Sequence, residues 1–111
     1  MDITEEKDGS VVVLQPEGRL DSANALAFEK TMLGVLDRGD TSILVDFSKL
    51  NYISSAGLRV LLMGAKRAQA AKGKVALCNL APNIREVFEV AGFLSIFNVH
   101  PGRAEAVAAL R

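Results

Sequence analysis

Short unbroken apolar runs alternate along the chain with longer stretches in which apolar residues recur every three or four positions. Runs bounded by turn residues read as strands, and recurrence at i, i+3, i+4 and i+7 reads as one face of a helix. "DITEEK" predicts a polar edge strand, and Asp8-Gly9 is a tight hairpin signal. "SVVVLQP" follows as a strand that Pro16 ends. "GRLDSANALAFEKTMLGVLDRG" predicts a helix capped by Asp21 or Ser22 and closed by Gly39. Its inward face is Ala25, Phe28, Met32, Val35 and Leu36. "SILVDF" and "KVALCNL" are continuous apolar runs, as strands covered on both faces require. Between them a second helix runs from the pair Ser54-Ser55 to about Ala71, with Gly73 as its stop. Pro82 suits the first turn of a third helix, with Ile84, Val87, Phe88 and Ala91 inward and Gly92 as terminator. "LSIFNV" is a last strand, and "PGRAEAVAALR" a terminal helix.

The order β-β-α-β-α-β-α-β-α defines an α/β fold, expected as one domain over residues 1–111. Strands separated by helices pair in parallel, and the first two add an antiparallel hairpin, so the sheet is mixed. In such sheets functional groups gather where strands end and helices begin. The segment "LNYISSAGLRVLL" stands at such a place and offers two hydroxyls where a helix needs one cap. Ser54 suffices as the cap, which leaves Ser55 as the first helical residue with its hydroxyl free. A phosphate on it would meet the unpaired N–H groups and positive end of the helix. The residues alone leave open whether Ser55 does more than assist the cap.

At about 100° per residue, Leu58, Leu61, Leu62, Ala65 and Ala68 form the buried stripe of this helix, with Gly57 and Gly64 beside it. Arg59, Met63 and Lys66 fall roughly opposite, and Ser55 lies at the border. Arg59 sits one turn above Ser55. An outward Met beside a functional group suggests a contact surface, since Met packs adaptably.

Composition narrows the function by exclusion. Thirteen basic and thirteen acidic residues in 111 cancel, which argues against the positive field that nucleic acid or an anionic membrane needs. The patch of Arg59, Lys66, Arg67, Lys72 and Lys74 then reads as a solvated helix face. No apolar run approaches a membrane span, and the polar start "MDITEEKDG" is no signal peptide. The single Cys78 has no disulfide partner, so a reducing cytoplasm is expected. His100 is the only histidine and is expected in a solvated loop. With no second base, no G-x-S-x-G elbow, no phosphate-binding loop and no Cys/His cluster, neither an enzyme nor a metal or cofactor site is expected. Asp46, ending its strand, reads by default as a turn or capping residue.

Four segments, "EGRLDSANA", "ILVDFSKLNYISSAGLRVLL", "GKVALCNLAPNIREVFEVAGF" and "IFNVHPGRAEAVAAL", together resemble the STAS domain family, and within it the bacterial anti-sigma-factor antagonists. They span nearly the whole chain. In that family a serine ahead of a small-residue–Gly–Leu element is phosphorylated, often within D-S-[SA]-G-L. Ser55 matches that serine, and Ser54 stands where Asp is often found. The resemblance places Asp46 and Gly57 near the phosphorylation site. It implies a partner interface of Ser54, Ser55, Arg59, Met63 and Lys66. It also implies partner switching: the unphosphorylated protein binds an anti-sigma factor that is itself a serine kinase of the histidine-kinase-like ATPase type. Phosphorylation breaks the complex, and a metal-dependent serine phosphatase restores it. Other branches of the family imply an alternative, a module that senses a nucleotide or another ligand in a different partner-switching or a lipid-transport pathway.

Overall fold

The computed structural model describes residues 2–111. Val11, Val13 and Leu44 point to one side of the sheet, while Val12, Leu14, Ile43 and Val45 point to the other, so the central apolar runs are buried twice over. The main sheet has the order β1 (Ile3–Asp8), β2 (Val11–Pro16), β4 (Ser42–Asp46), β6 (Lys74–Cys78) and β7 (Asn98–His100). The β1–β2 pair is antiparallel and the other three are parallel, as expected of a mixed sheet. The hairpin turns through Gly9 at φ +62°, a left-handed conformation that favours glycine.

Helices α1 (Ala25–Asp37), α2 (Ser55–Ala70) and α3 (Pro82–Val90) cover one face of the sheet. The short α4 (Arg103–Leu110) covers the other, seated on Val11, Val13, Leu44, Ala76 and Cys78. The five residues expected on the inward face of α1 are all buried. In α2, Leu58, Leu61 and Ala68 are buried and Leu62 and Ala65 half-buried; Val60, outside the predicted stripe, is buried against α1. Ala91, expected inward, is exposed at the end of α3.

Several expectations change. A separate two-stranded parallel ladder, β3 (Gly18–Leu20) with β5 (Leu50–Ile53), stands where helix and loop were expected. The helix α1 accordingly starts later. Asp21 closes a turn ahead of it, accepting from Ala23 N–H at 3.0 Å through its carboxylate, and Asn24 holds the cap position with no side-chain capping bond. The last strand is three residues long, because Leu94–Phe97 turns to bury Phe97 against Phe88 and Phe93. His100, expected in a loop, lies in β7 beside Cys78, and its Nε2 is buried without a hydrogen-bond partner among the described residues. At the end of α2 it is Lys72 that takes the left-handed conformation (φ 63°); Gly73 is there because a Cβ would collide with the backbone of Thr41.

Gly57 fixes how α2 meets the β3–β5 ladder. A Cβ there would lie 2.8 Å from Leu20 Cγ, 2.9 Å from Ile53 Cγ1 and 3.0 Å from the Leu20 carbonyl. At Gly64, by contrast, the obstacle is the flexible end of Met32. Gly57→Ala should therefore cost about 1–2 kcal/mol, overpacking partly offset by better helix propensity. Gly64→Ala should cost less. Urea denaturation midpoints check the order, and equal midpoints for the two variants would contradict it.

Candidate functional site

The start of α2 is held from below by the ladder. Ser54 N–H donates to Leu20 C=O at 2.9 Å, and Leu58 N–H donates to Ser54 C=O at 3.0 Å. Ser54 is extended (φ −100°, ψ 174°), and its Oγ accepts from Gly57 N–H at 3.4 Å. This is the N-cap arrangement, at a long distance. Ser55 is then the first helical residue and is exposed, and its hydroxyl makes no hydrogen bond among the described residues. The division of labour expected of the two serines is the one the backbone adopts.

Beside Ser55, α1 and α2 enclose an open groove of about 350 Å³. Arg59 and Met63 line it from α2, Leu26 and Glu29 from α1, and Ser22 from the turn before α1. Leu26 is 61% exposed there, which makes it an apolar anchor without a partner. Met63, expected on the outward face, is half-buried in this groove. Arg59 is exposed and has no carboxylate within ion-pair distance among the described residues, unlike Arg67, which pairs with Asp37 at 3.5 Å. Lys66 does not join Arg59 and Met63: it lines a second groove on the opposite flank of α2. Leu26 and Glu29 were not singled out from the sequence. The only local sign of Leu26 is that it is apolar yet adjacent to the inward Ala25. Next to the site, Arg19 of β3 lies over the ring of Tyr52 in β5, 4.1 Å from its centroid, and stiffens the ladder that carries α2.

Asp46 is not beside Ser55. It shares its side of the sheet with Leu44, the face covered by α4, whereas α2 packs on the other face. Its carboxylate, only 3% exposed, accepts from Gln15 Nε2 (3.2 Å), Ser48 N–H (3.0 Å), Asn79 Nδ2 (3.0 Å) and the Arg103 guanidinium (3.1 and 3.3 Å). Burial pushes its pKa up, but the donors of Asn79, Ser48 and Arg103 outweigh burial and hold it below the ordinary 3.8. Asp46 thus joins β4 to the start of α4. Arg103 extends the link to Glu6 on β1 at 2.8 Å. Burial, reinforced by the negative charge of Asp46, pushes the Cys78 thiol up to about 12, so it stays protonated and is no nucleophile. Among the described residues no helix is long and apolar enough to cross a membrane.

The α/β sheet, the capped serine pair and the order of elements define a class. Residues 2–106 match the STAS domain, and the chain belongs to that family. Over 111 residues it is 41% identical to BtrV of Bordetella bronchiseptica, described as a candidate anti-sigma factor antagonist; the match covers 100% of this chain and 96% of that one. A candidate anti-sigma factor antagonist of Thermotoga maritima superposes with a TM-score of 0.94 at 24% identity, covering 98% of this chain and 94% of its own. The Bacillus protein SpoIIAA in its phosphorylated form gives a TM-score of 0.76 at 23% identity, covering 99% and 100%.

Two substitutions separate the roles in this region. Ser54→Ala should cost about 1 kcal/mol, the usual value of a cap, while Ser55→Ala leaves the melting curve unchanged. If the two variants melt alike, the assignment of the cap is wrong. Asp46→Ala should cost about 2 kcal/mol, because it leaves the Ser48 N–H and the Asn79 amide without their acceptor, while Arg103 keeps Glu6. The Asp46 pKa lies below its unfolded value in the folded chain. Its contribution is therefore whole above that unfolded value and is lost as pH falls through the depressed one. The stability of Asp46→Ala should thus fall less steeply than that of the parent between about pH 4 and pH 2. Urea midpoints across that range test this, and parallel curves would contradict it.

Proposed function

We propose that this protein is an anti-sigma factor antagonist switched by phosphorylation at Ser55. The observation that carries the reading is the exposed, uncommitted hydroxyl of Ser55 at the head of α2, next to a serine that already does the capping. The 41% identity to BtrV supports the partner class. SpoIIAA supports the fold-level part: its unphosphorylated and phosphorylated forms resemble this chain to the same degree, each with a TM-score of 0.76.

In this reading the unphosphorylated protein docks on an anti-sigma factor through Ser55, Arg59, Met63 and the exposed Leu26 across the groove. Binding releases the sigma factor. The anti-sigma factor is also an ATP-dependent serine kinase of the histidine-kinase-like type, and it transfers a phosphoryl group to Ser55. A metal-dependent serine phosphatase reverses the step. The protein itself is a binding partner and phosphate acceptor, with no turnover of its own.

The physics of release is local. A phosphoserine brings nearly two negative charges and a tightly held hydration shell into the contact. Re-forming the contact then requires desolvating that group, which outweighs the few kcal/mol that separate bound from free. The isolated protein tolerates the phosphate because the helix N-terminus favours an anion. Arg59, one turn on and without an acidic partner, is placed to pair with the phosphate, which would also withdraw a positive group from the partner.

Incubation with ATP and its anti-sigma kinase partner should place one phosphate, on Ser55, by peptide mapping. Ser55→Ala should bind the kinase as tightly as the parent, and Ser55→Glu at least tenfold more weakly, about 1.4 kcal/mol. Arg59→Ala and Met63→Ala should each weaken the unphosphorylated complex by about 1–2 kcal/mol. A phosphate on Ser54, or full affinity in both groove variants, would move the site elsewhere.

A further inference from the structure

On the flank of α2 away from Ser55, the C-terminal half of the helix, the start of β6 and the segment before β7 enclose an open groove of about 580 Å³. Leu62 and Val75 give it an apolar floor, and Ile96, 53% exposed, forms a lip. Lys66 and Lys74 stand at its rim with the amides of Gln69 and Asn98. No carboxylate lines it. The groove beside Ser55 carries Glu29 with Arg59, and the shallow one along α3 carries Glu86 and Glu89 with Arg85. In a chain whose thirteen bases and thirteen acids cancel, this groove has charge of one sign only. Among the described residues neither Lys66 nor Lys74 lies within ion-pair distance of an acid, while Lys7 and Lys49 do.

Lysines near a helix C-terminus complement its dipole, and lysine stems often cover apolar surface. Those ordinary roles explain Lys66 alone. They do not explain Lys74 on a strand, or an isoleucine left half-exposed in the same groove as two unpaired cations. The volume falls in the range of small-molecule sites, and apolar walls with a few convergent polar groups are their usual composition. No aromatic side chain lines the groove, so nothing there would stack on a base, which disfavours a nucleotide.

The geometry points to a binding site for an amphipathic organic anion of the aliphatic carboxylate class. Its chain lies over Leu62, Val75 and Ile96, and its head group sits between the ammonium groups of Lys66 and Lys74. The amides of Gln69 and Asn98 supply further donors. The site is separate from the Ser55 groove and does not rest on the reading of that groove.

Amide spectra of the 15N-labelled protein titrated with octanoate, octanol and inorganic phosphate test this without altering the chain. Octanoate should move the amides of Lys66, Gln69, Val75, Ile96 and Asn98. Octanol and phosphate should each bind at least tenfold more weakly, since each supplies half of the recognition. Replacing both Lys66→Glu and Lys74→Glu should weaken octanoate at least tenfold while the amides of Leu26 and Arg59 stay in place, and Ile96→Ser should weaken it through the apolar half. Octanol binding as tightly as octanoate, shifts centred on the Leu26 and Met63 groove, or octanoate binding unchanged by charge reversal would overturn the assignment.

Discussion

The whole site depends on one close approach: the head of α2 pressed against the β3–β5 ladder at Gly57. With Leu20 Cγ and Ile53 Cγ1 below 3 Å from where a Cβ would be, any other residue forces these side chains or the helix to move. The contact sets the height of α2, and the bond from Ser54 N–H to the Leu20 carbonyl fixes where its first turn begins. Because that turn begins at Ser54, the cap falls to Ser54, and Ser55 is carried to the surface. A shift of one residue would exchange the two hydroxyls. The small ladder of three- and four-residue strands thus decides which serine caps the helix and which is exposed.

The two faces of the sheet divide the work. The face under α1, α2 and α3 holds the large apolar cluster and presents the grooves on either side of α2. The other face is lined by small side chains, so a helix of eight residues can cover it. That cover is fastened electrostatically. Arg103 bonds the buried Asp46 and reaches Glu6, and Arg111 reaches Asp8 at 3.1 Å. The exposed Arg111–Asp8 pair contributes little, whereas the Asp46 cluster is buried and satisfied by four residues, so it governs how α4 docks. Asp46 therefore acts on stability, through the seat of α4.

How much was legible in the chain follows from the range of each interaction. The first four strands of the main sheet, the inward stripe of α1 and most of that of α2 were legible because hydrophobic period is a local property. The cap at Ser54 was legible for the same reason, since a cap is settled within four residues. The β3–β5 ladder was not: "GRL" and "LNYI" are too short to show a period, and their pairing joins positions some thirty residues apart. Asp46 was placed at the right end of its strand and expected near Ser55, but it faces α4 on the other side of the sheet from α2. Its parity with Leu44 was visible, and which helix covers that parity is decided only by topology. The same holds for Leu26 and Glu29, which meet Arg59 only because α1 packs beside α2, and for Lys66, which helix geometry alone could not divide from Met63. Lys72 took the left-handed position that Gly73 was expected to hold because the close backbone of Thr41 claims the glycine.

The central claim is that a phosphate on Ser55 acts by its charge and hydration at the surface, on a helix whose seat does not change. The most direct test compares amide spectra and amide hydrogen exchange of the protein before and after phosphorylation at Ser55. The account predicts shifts confined to the first turn of α2, the adjoining end of β5 and the α1 side of the groove, with exchange protection along α2 and the sheet retained. Loss of protection along α2, or shifts spreading through β3, β5 and the sheet, would show that phosphorylation unseats the helix and would contradict it.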